Sequence, residues 1–191
     1  MKVLKMNSIK TLASVSLSVL LLLSSCAESD KKENSEPKVA TPKMNIQTAV
    51  ISNDLEVVKQ HIAAGTDLNV KDQMTGSTPL ITAVTFGKTA IVKVLIEAKA
   101  DLSVKNNDGG TALHNAAFFG NIEIAQILID AKADKTIKNN FGVTARESVL
   151  APYKSMEPIY KMVKQQLEPM GLKMDLAEIK KNRPVIAKIL E

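Results

Sequence analysis

A chain of 191 residues has room for one modest domain with appendages. Apolar residues make up 45% of it but aromatic residues only 3%, and tryptophan is absent, so a core must come from Ala, Val, Ile and Leu. That composition suits close-packed helices better than a sandwich or barrel. The formal charge of +5 includes Lys2, Lys5 and Lys10; setting these aside leaves 22 basic against 20 acidic residues, about +2, too little to argue for nucleic acid as a partner.

The first ten residues are basic, and Thr11 to Leu23 supply an apolar stretch ending in Leu23-Ser24-Ser25-Cys26. A positive start, a short apolar run and small residues before a cut site describe a signal peptide over 1–25. The run is shorter than the roughly 20 residues a spanning helix needs. Cys26 is the single cysteine, which excludes an intramolecular disulfide. Leu23-Ser24-Ser25-Cys26 resembles a bacterial lipobox, which implies cleavage before Cys26 and lipidation of its thiol. Each acyl CH₂ buried in a membrane would contribute about 0.8 kcal/mol to attachment. Ala27 rather than Asp after the cysteine implies, by the same resemblance, the outer membrane facing the periplasm.

Ala27 to Met44 is polar, charged and interrupted by Pro37 and Pro42. Such a stretch has too little apolar surface to fold, so residues 26–44 read as a disordered tether reaching about 20–25 Å.

The next hundred residues repeat. Thr78-Pro79-Leu80, Thr111-Ala112-Leu113 and Thr144-Ala145-Arg146 stand 33 apart, as do Gly87 and Gly120, and Asp101 and Asp134. Residues 91–106 (IVKVLIEAKADLSVKN) return at 124–139 as IAQILIDAKADKTIKN, with an earlier copy at 55–72. Thr78 and Thr111 stand where a hydroxyl caps a first helix, with Pro79 at the first helical position. Ala83, Ala116 and Ala117 are small enough for neighbouring helices to approach. Gly87 and Gly120 end those helices, and Gly76, Gly109 and Gly142 allow tight turns. Ile91, Val92, Leu95 and Ile96 recur as Ile124, Ile127, Leu128 and Ile129, the buried face of a second helix. No unit buries this face alone, so the stack is the folding unit.

Period, TPL and TALH turns, glycines and Ala-Asp segments together resemble the ankyrin repeat. The resemblance implies an all-α solenoid of helix-turn-helix units with projecting β-turn loops over 45–150. The units fall at 45–77, 78–110 and 111–143, with a partial fourth from 144. His61 stands where Leu95 and Leu128 stand, which predicts a partly exposed end unit.

After Pro152 the period is lost, and 151–191 reads as a helical extension. Apolar Ile159, Met162, Val163 and Leu167 predict an amphipathic helix within 155–169. Asp175 to Glu178 has the spacing of a capping box. Asn182-Arg183-Pro184 predicts a break before a new short helix carrying Val185, Ile186, Ile189 and Leu190. These helices are expected to cap the open end of the solenoid.

No catalytic constellation is visible. The resemblance implies that His114 bridges neighbouring loops, and His61 has no ligand at metal spacing. Gly109-Gly110 lacks the lysine and serine of a phosphate loop, and the recurring Asp101 and Asp134 read as turn-formers. No cofactor or metal is expected, and the protein reads as a monomer and not an enzyme. The resemblance implies a protein partner held by the inner helices and loop tips. On the first inner helix the free positions are Thr48, Ile51 and Ser52. On the second they are Thr82, Thr85 and Phe86, and on the third Asn115, Phe118 and Phe119. The tips add Gln73, Met74, Asn107, Asp108, Asn140 and Phe141. All four phenylalanines of the chain fall in this set, and aromatics are common interface anchors. The function this implies is a membrane-anchored binding scaffold of the bacterial cell envelope. Alternatives are an immunity or inhibitor protein against a toxin or envelope hydrolase, or an accessory in protection from oxidative stress.

Overall fold

A computed structural model describes residues 40–191. The expected signal peptide at 1–25, Cys26 and the expected tether up to residue 39 lie outside the described residues.

Eight helices and one short 3-10 turn follow α1 in chain order. The first three pairs are α1 (Ile46–Ile51) with α2 (Leu55–Ala63), α3 (Pro79–Thr85) with α4 (Thr89–Glu97), and α5 (Ala112–Phe118) with α6 (Ile122–Asp130). After them come α7 (Ala145–Leu150), α8 (Tyr153–Leu167), a 3-10 turn at Glu168–Met170, and α9 (Leu176–Ile189). One isolated antiparallel bridge, Lys138 to Thr144, is the strand pairing among the described residues.

The caps lie where the spacing puts them. Thr78 Oγ1 accepts from the Ile81 amide at 3.3 Å with Pro79 beginning α3, and Thr144 forms a reciprocal capping box with Glu147. Each such cap satisfies an amide that has no partner within the helix, worth about 1 kcal/mol. Asn45, Asp54 and Asn121 cap α1, α2 and α6 in the same way.

The inner helices α1, α3, α5 and α7 stack side by side, and each pairs with an outer helix. The predicted alanines Ala83, Ala116 and Ala117 are fully buried within this stack, as are Ile91, Val92 and Leu95 of α4 and Ile124, Ala125 and Leu128 of α6.

Two expectations at the ends of the stack need correction. His61 is buried, at 3% exposure, rather than partly exposed. Its Nε2 lies 2.7 Å from the Met44 carbonyl and its Nδ1 2.9 Å from Thr66 Oγ1. The chain leading into α1 thus folds over the imidazole, and both ring nitrogens find partners.

The second correction concerns the C-terminus. Helix α9 does not break at Pro184 but runs through it, and it packs on α7 and α6 as α6 packs on α5 and α4. Its residues Ile186, Ala187 and Leu190 are buried in the main core beside Ile124, Ala125 and Leu128. Ile186-Ala187-Lys188-Ile189-Leu190 repeats Ile124-Ala125-Gln126-Ile127-Leu128, but 62 residues on rather than 33. The second half of α9 is therefore the outer helix of a fourth unit, and residues 152–183 are an insertion between that unit's two helices. Pro184 stands where Ile122 begins α6, but α9 is already helical from Leu176, so the proline lies inside the helix and gives the Lys180 carbonyl no amide.

The projecting loops form a hydrogen-bonded ladder. The amides of Asn107 and Asn140 donate to the carbonyls of Thr75 and Asp108 at 2.9 and 3.0 Å, joining each loop to the one before. At Gly109 (φ +72°) an added Cβ would stand 2.6 Å from the Asn140 backbone nitrogen, so the close approach of the loops requires glycine. His114 strengthens the same seam, as the TALH resemblance implies: Nε2 lies 3.2 Å from the Val143 carbonyl and Nδ1 3.0 Å from Thr111 Oγ1.

Two measurements check this architecture. Ile186→Ala is expected to cost about 2–5 kcal/mol in urea unfolding, as Ile124→Ala should, because each leaves a cavity in a closed core. Ile159→Ala, on the exposed side of α8, is expected to stay within about 0.5 kcal/mol. A silent Ile186→Ala would remove α9 from the stack. Burial, aided by the charge of Lys105, holds the His114 imidazole below its ordinary value of 6.5 despite the Val143 contact. The unfolded chain therefore binds the proton more readily, so this contribution is complete above 6.5 and declines as pH falls below it. The Tm is expected to drop between about pH 7 and 5, with a shallower slope in His114→Gln; equal slopes would exclude His114 as the cause.

Candidate protein-binding surface

The inner-helix candidates are less available than their spacing implies. Thr82 is buried, and Thr85 Oγ1 donates to Asn115 Oδ1 at 3.4 Å while Asn115 Nδ2 donates to the Thr111 carbonyl at 3.2 Å. Of the first helix, Thr48 and Ser52 are exposed and Ile51 is half-buried. Phe86, Phe118 and Phe119 form a second apolar cluster with Tyr160, Leu172, Met174 and Ile179 of the insertion. Phe118 lies 4.6 Å from the Tyr160 ring centroid and 5.0 Å from that of Phe119, the latter edge-on. Pairs of this geometry contribute about 0.5–1.5 kcal/mol beyond the area they bury.

These phenylalanines were expected to face a partner; in the structure they face the chain's own insertion. The extension was also expected to cap the open end of the solenoid. Its α9 does so, covering α6 and α7, but its α8 lies over the C-terminal ends of α3 and α5, and Leu150 at the end of α7 stays exposed.

The loop tips divide into two kinds. Asn107 Nδ2 donates to the Met74 carbonyl at 3.1 Å, and Asn140 Nδ2 to the Asn107 carbonyl at 2.8 Å. These side chains hold the ladder together, so their place in it is structural. Gln73, Met74, Asp108 and Phe141 are exposed, and two of them to an unusual degree: Met74 at 88% and Phe141 at 78%. Met74, Asp108 and Phe141 each stand two residues after the side chain that takes their amide (Asp72, Asn106 and Asn139), although the first loop has one more residue before its glycine.

What presents Met74 is a rigid turn. Asp72 accepts from the amides of Met74 (2.8 Å), Thr75 (2.7 Å) and Ser77 (2.7 Å), and from Thr75 Oγ1 (2.5 Å). Partial burial pushes its carboxyl up, but these four hydrogen bonds outweigh it and hold it below the ordinary carboxylate value. Asp101 and Asp134 are turn-formers as predicted: each accepts from the amide and hydroxyl two residues on, at 2.8 and 2.6 Å. Asn139 similarly takes the amides of Phe141 and Val143.

Two residues that organise this region carried no recognised signal. Arg183 is buried at 3% exposure; it donates to Tyr160 Oη at 2.7 Å, to the Ser148 carbonyl at 3.3 Å, and to the Ala151 carbonyl. Burial pushes the Tyr160 phenol up, opposed by the Arg183 charge. The repeated Ile-Ala-x-Ile-Leu string would have located the fourth outer helix, and with it the insertion, but nothing local marks the Arg183–Tyr160 pair. Among the described residues there is no group of three His, Cys, Asp or Glu placed to hold a metal ion, and no helix is long and apolar enough to cross a membrane.

Comparison with known proteins agrees with this geometry. Residues 46–139 match the family model for ankyrin repeats in three copies. An ankyrin repeat-containing protein of Schizosaccharomyces pombe is 33% identical over 73 residues, which are 38% of this chain and 35% of that protein. The crystal structure of the ankyrin repeat domain of Bcl-3, a member of the IkappaB protein family, superposes with a TM-score of 0.52 at 27% identity. It covers 53% of this chain and 45% of its own. The chain thus spans about a third of the curated relative and under half of the solved one. Residues 46–139 carry ankyrin repeats, and the fold they form is an ankyrin-repeat solenoid, a scaffold that generally serves protein–protein binding.

Proposed function

We propose that the protein is a membrane-anchored scaffold of a bacterial cell envelope that binds another protein through its loop tips, without catalysis. The observation that carries the binding surface is the exposure of Met74 and Phe141 on rigid, hydrogen-bonded turns. Large apolar side chains held in water on an ordered backbone lose little entropy on binding and gain burial. Asp108 between them adds a charge that fixes register and discriminates among partners. The half-buried phenylalanines of α3 and α5 are not part of this first contact.

The anchor rests on Cys26 within Leu23-Ser24-Ser25-Cys26, and the compartment on Ala27 after it. A single lipidated cysteine followed by a polar stretch would leave the domain free to turn while confining it to a surface, which raises its effective concentration toward a partner in the same membrane.

Crosslinking in the native envelope, followed by mass spectrometry, is expected to capture one protein partner. Met74→Ser with Phe141→Ser should reduce that capture at least tenfold while the helical circular-dichroism signal is unchanged. Undiminished capture would overturn the loop-tip surface. Metabolic labelling with palmitate should tag the full chain and fail on Cys26→Ala; equal labelling of both would overturn the anchor.

A further inference from the structure

Residues 152–183 form a body of their own within the fourth unit. Their apolar side chains Tyr160, Leu172, Met174 and Ile179 belong to the second cluster, whereas Ile186, Ala187 and Leu190, beyond Pro184, belong to the main core. The boundary falls within a single helix, at the proline that stands where Ile122 begins α6. The other boundary is also a proline, Pro152, directly after α7.

The hold on the repeats is uneven along this body. Helix α8 makes no extended backbone-level approach to any repeat helix. Its hydrogen bonds beyond its own first turns go to Leu176 (Tyr153 Oη, 3.2 Å), Met174 (Lys164 Nζ, 3.0 Å) and Arg183, all within the body itself. Among the described hydrogen bonds, the side chains joining the body to the repeats are its last two, Asn182 to the Gly120 carbonyl at 2.9 Å and Arg183 to Ser148 and Ala151. The remaining contacts are apolar ones with Phe86, Phe118 and Phe119 and, in the first half of α9, a close approach of Ile179 to Gly120.

Such a design can open without unfolding the stack. The fourth outer helix has its own buried stripe, and on opening Pro184 would become its first residue, where a proline is tolerated, so it does not need residues 176–183 to remain helical. Gly120 fits the docked state: a Cβ there would stand 3.0 Å from the Ile179 Cα. What opening exposes is an aromatic surface, and the chain itself shows what fits on it: an amphipathic helix with an aromatic ring on its apolar face.

We infer that residues 152–183 are a displaceable lid, occupying in cis a surface that takes an amphipathic, aromatic-bearing helix of a protein partner in trans. This rests on the reading of the protein as a binder but adds a second surface, one that is closed until a competing helix replaces α8 or Arg183 releases the Ser148 and Ala151 carbonyls.

The test uses the full chain and no cellular partner. In native-state hydrogen exchange, amides of 153–179 should exchange at least a hundredfold faster than those of 91–95, 124–128 and 186–190. A fluorescent peptide of residues 153–167 should bind Tyr160→Ala at least tenfold more tightly than wild type. Arg183→Met, which keeps the stem and removes the hydrogen bonds to Ser148 and Ala151, should behave as Tyr160→Ala does, and it carries the measurement should Tyr160→Ala lose its helical signal. Two results overturn the lid: exchange of 153–179 only in step with the core, or peptide binding no tighter to the opened variants than to wild type. Neither depends on Met74 or Phe141, so failure here leaves the loop-tip surface standing, and failure there leaves the lid.

Discussion

The structure depends on the burial of a three-residue stripe on the outer helices α4, α6 and α9: Ile91, Val92 and Leu95, then Ile124, Ala125 and Leu128, then Ile186, Ala187 and Leu190. Each stripe is closed off by the inner helix of its own unit and by a neighbouring outer helix, so no unit is stable by itself. The small Ala83, Ala116 and Ala117 on the inner helices permit the close spacing this needs, since a larger side chain there would hold neighbouring helices apart. The loop ladder follows from the same spacing. Once the helices stack at one fixed distance, successive turns lie within hydrogen-bonding reach, and Asn107, Asn140 and His114 use it.

That constraint also explains where an insertion can be tolerated. Residues 152–183 enter between the inner and outer helix of the last unit, a connection that need not fit between two neighbours. Lengthening a connection costs little chain entropy, about 0.6 kcal/mol for each doubling. An insertion at the same place in the second or third unit would meet the unit on either side. The stack keeps its fourth outer helix because Ile186, Ala187 and Leu190 gain the same burial as their predecessors, whatever precedes them.

The insertion changes which surfaces of the solenoid are open. Aromatic residues at the ends of α3 and α5 would otherwise form an exposed apolar patch, a liability unless a partner covers it. Tyr160 covers it from within, and Arg183 steadies the Tyr160 hydroxyl while meeting the carbonyls at the end of α7. A buried cation needs such partners, because desolvation without them is costly. Carbonyls at a helix C-terminus suit it, since the helix dipole places partial negative charge there. The loop tips remain outside this arrangement, and the two surfaces have different characters: one rigid and open, the other aromatic and covered.

The sequence by itself determined the number of units before the insertion, the capped starts of α3 and α5 and the buried stripes of α4 and α6. Each follows from a few residues at short fixed spacings, and local hydrogen bonding and helical periodicity read those directly. It also marked Met74 and Phe141 as loop-tip residues, because turn residues identify themselves. Only the tertiary structure decided that Phe86, Phe118 and Phe119 face an internal helix, that His61 is covered by the chain before α1, and that Asn107 and Asn140 serve the ladder. It alone carried α9 through Pro184, where local rules place a break. These outcomes turn on contacts between residues as far apart as Gly120 and Asn182. No local pattern specifies which of two apolar surfaces meets the other; that is settled by the geometry of the whole stack.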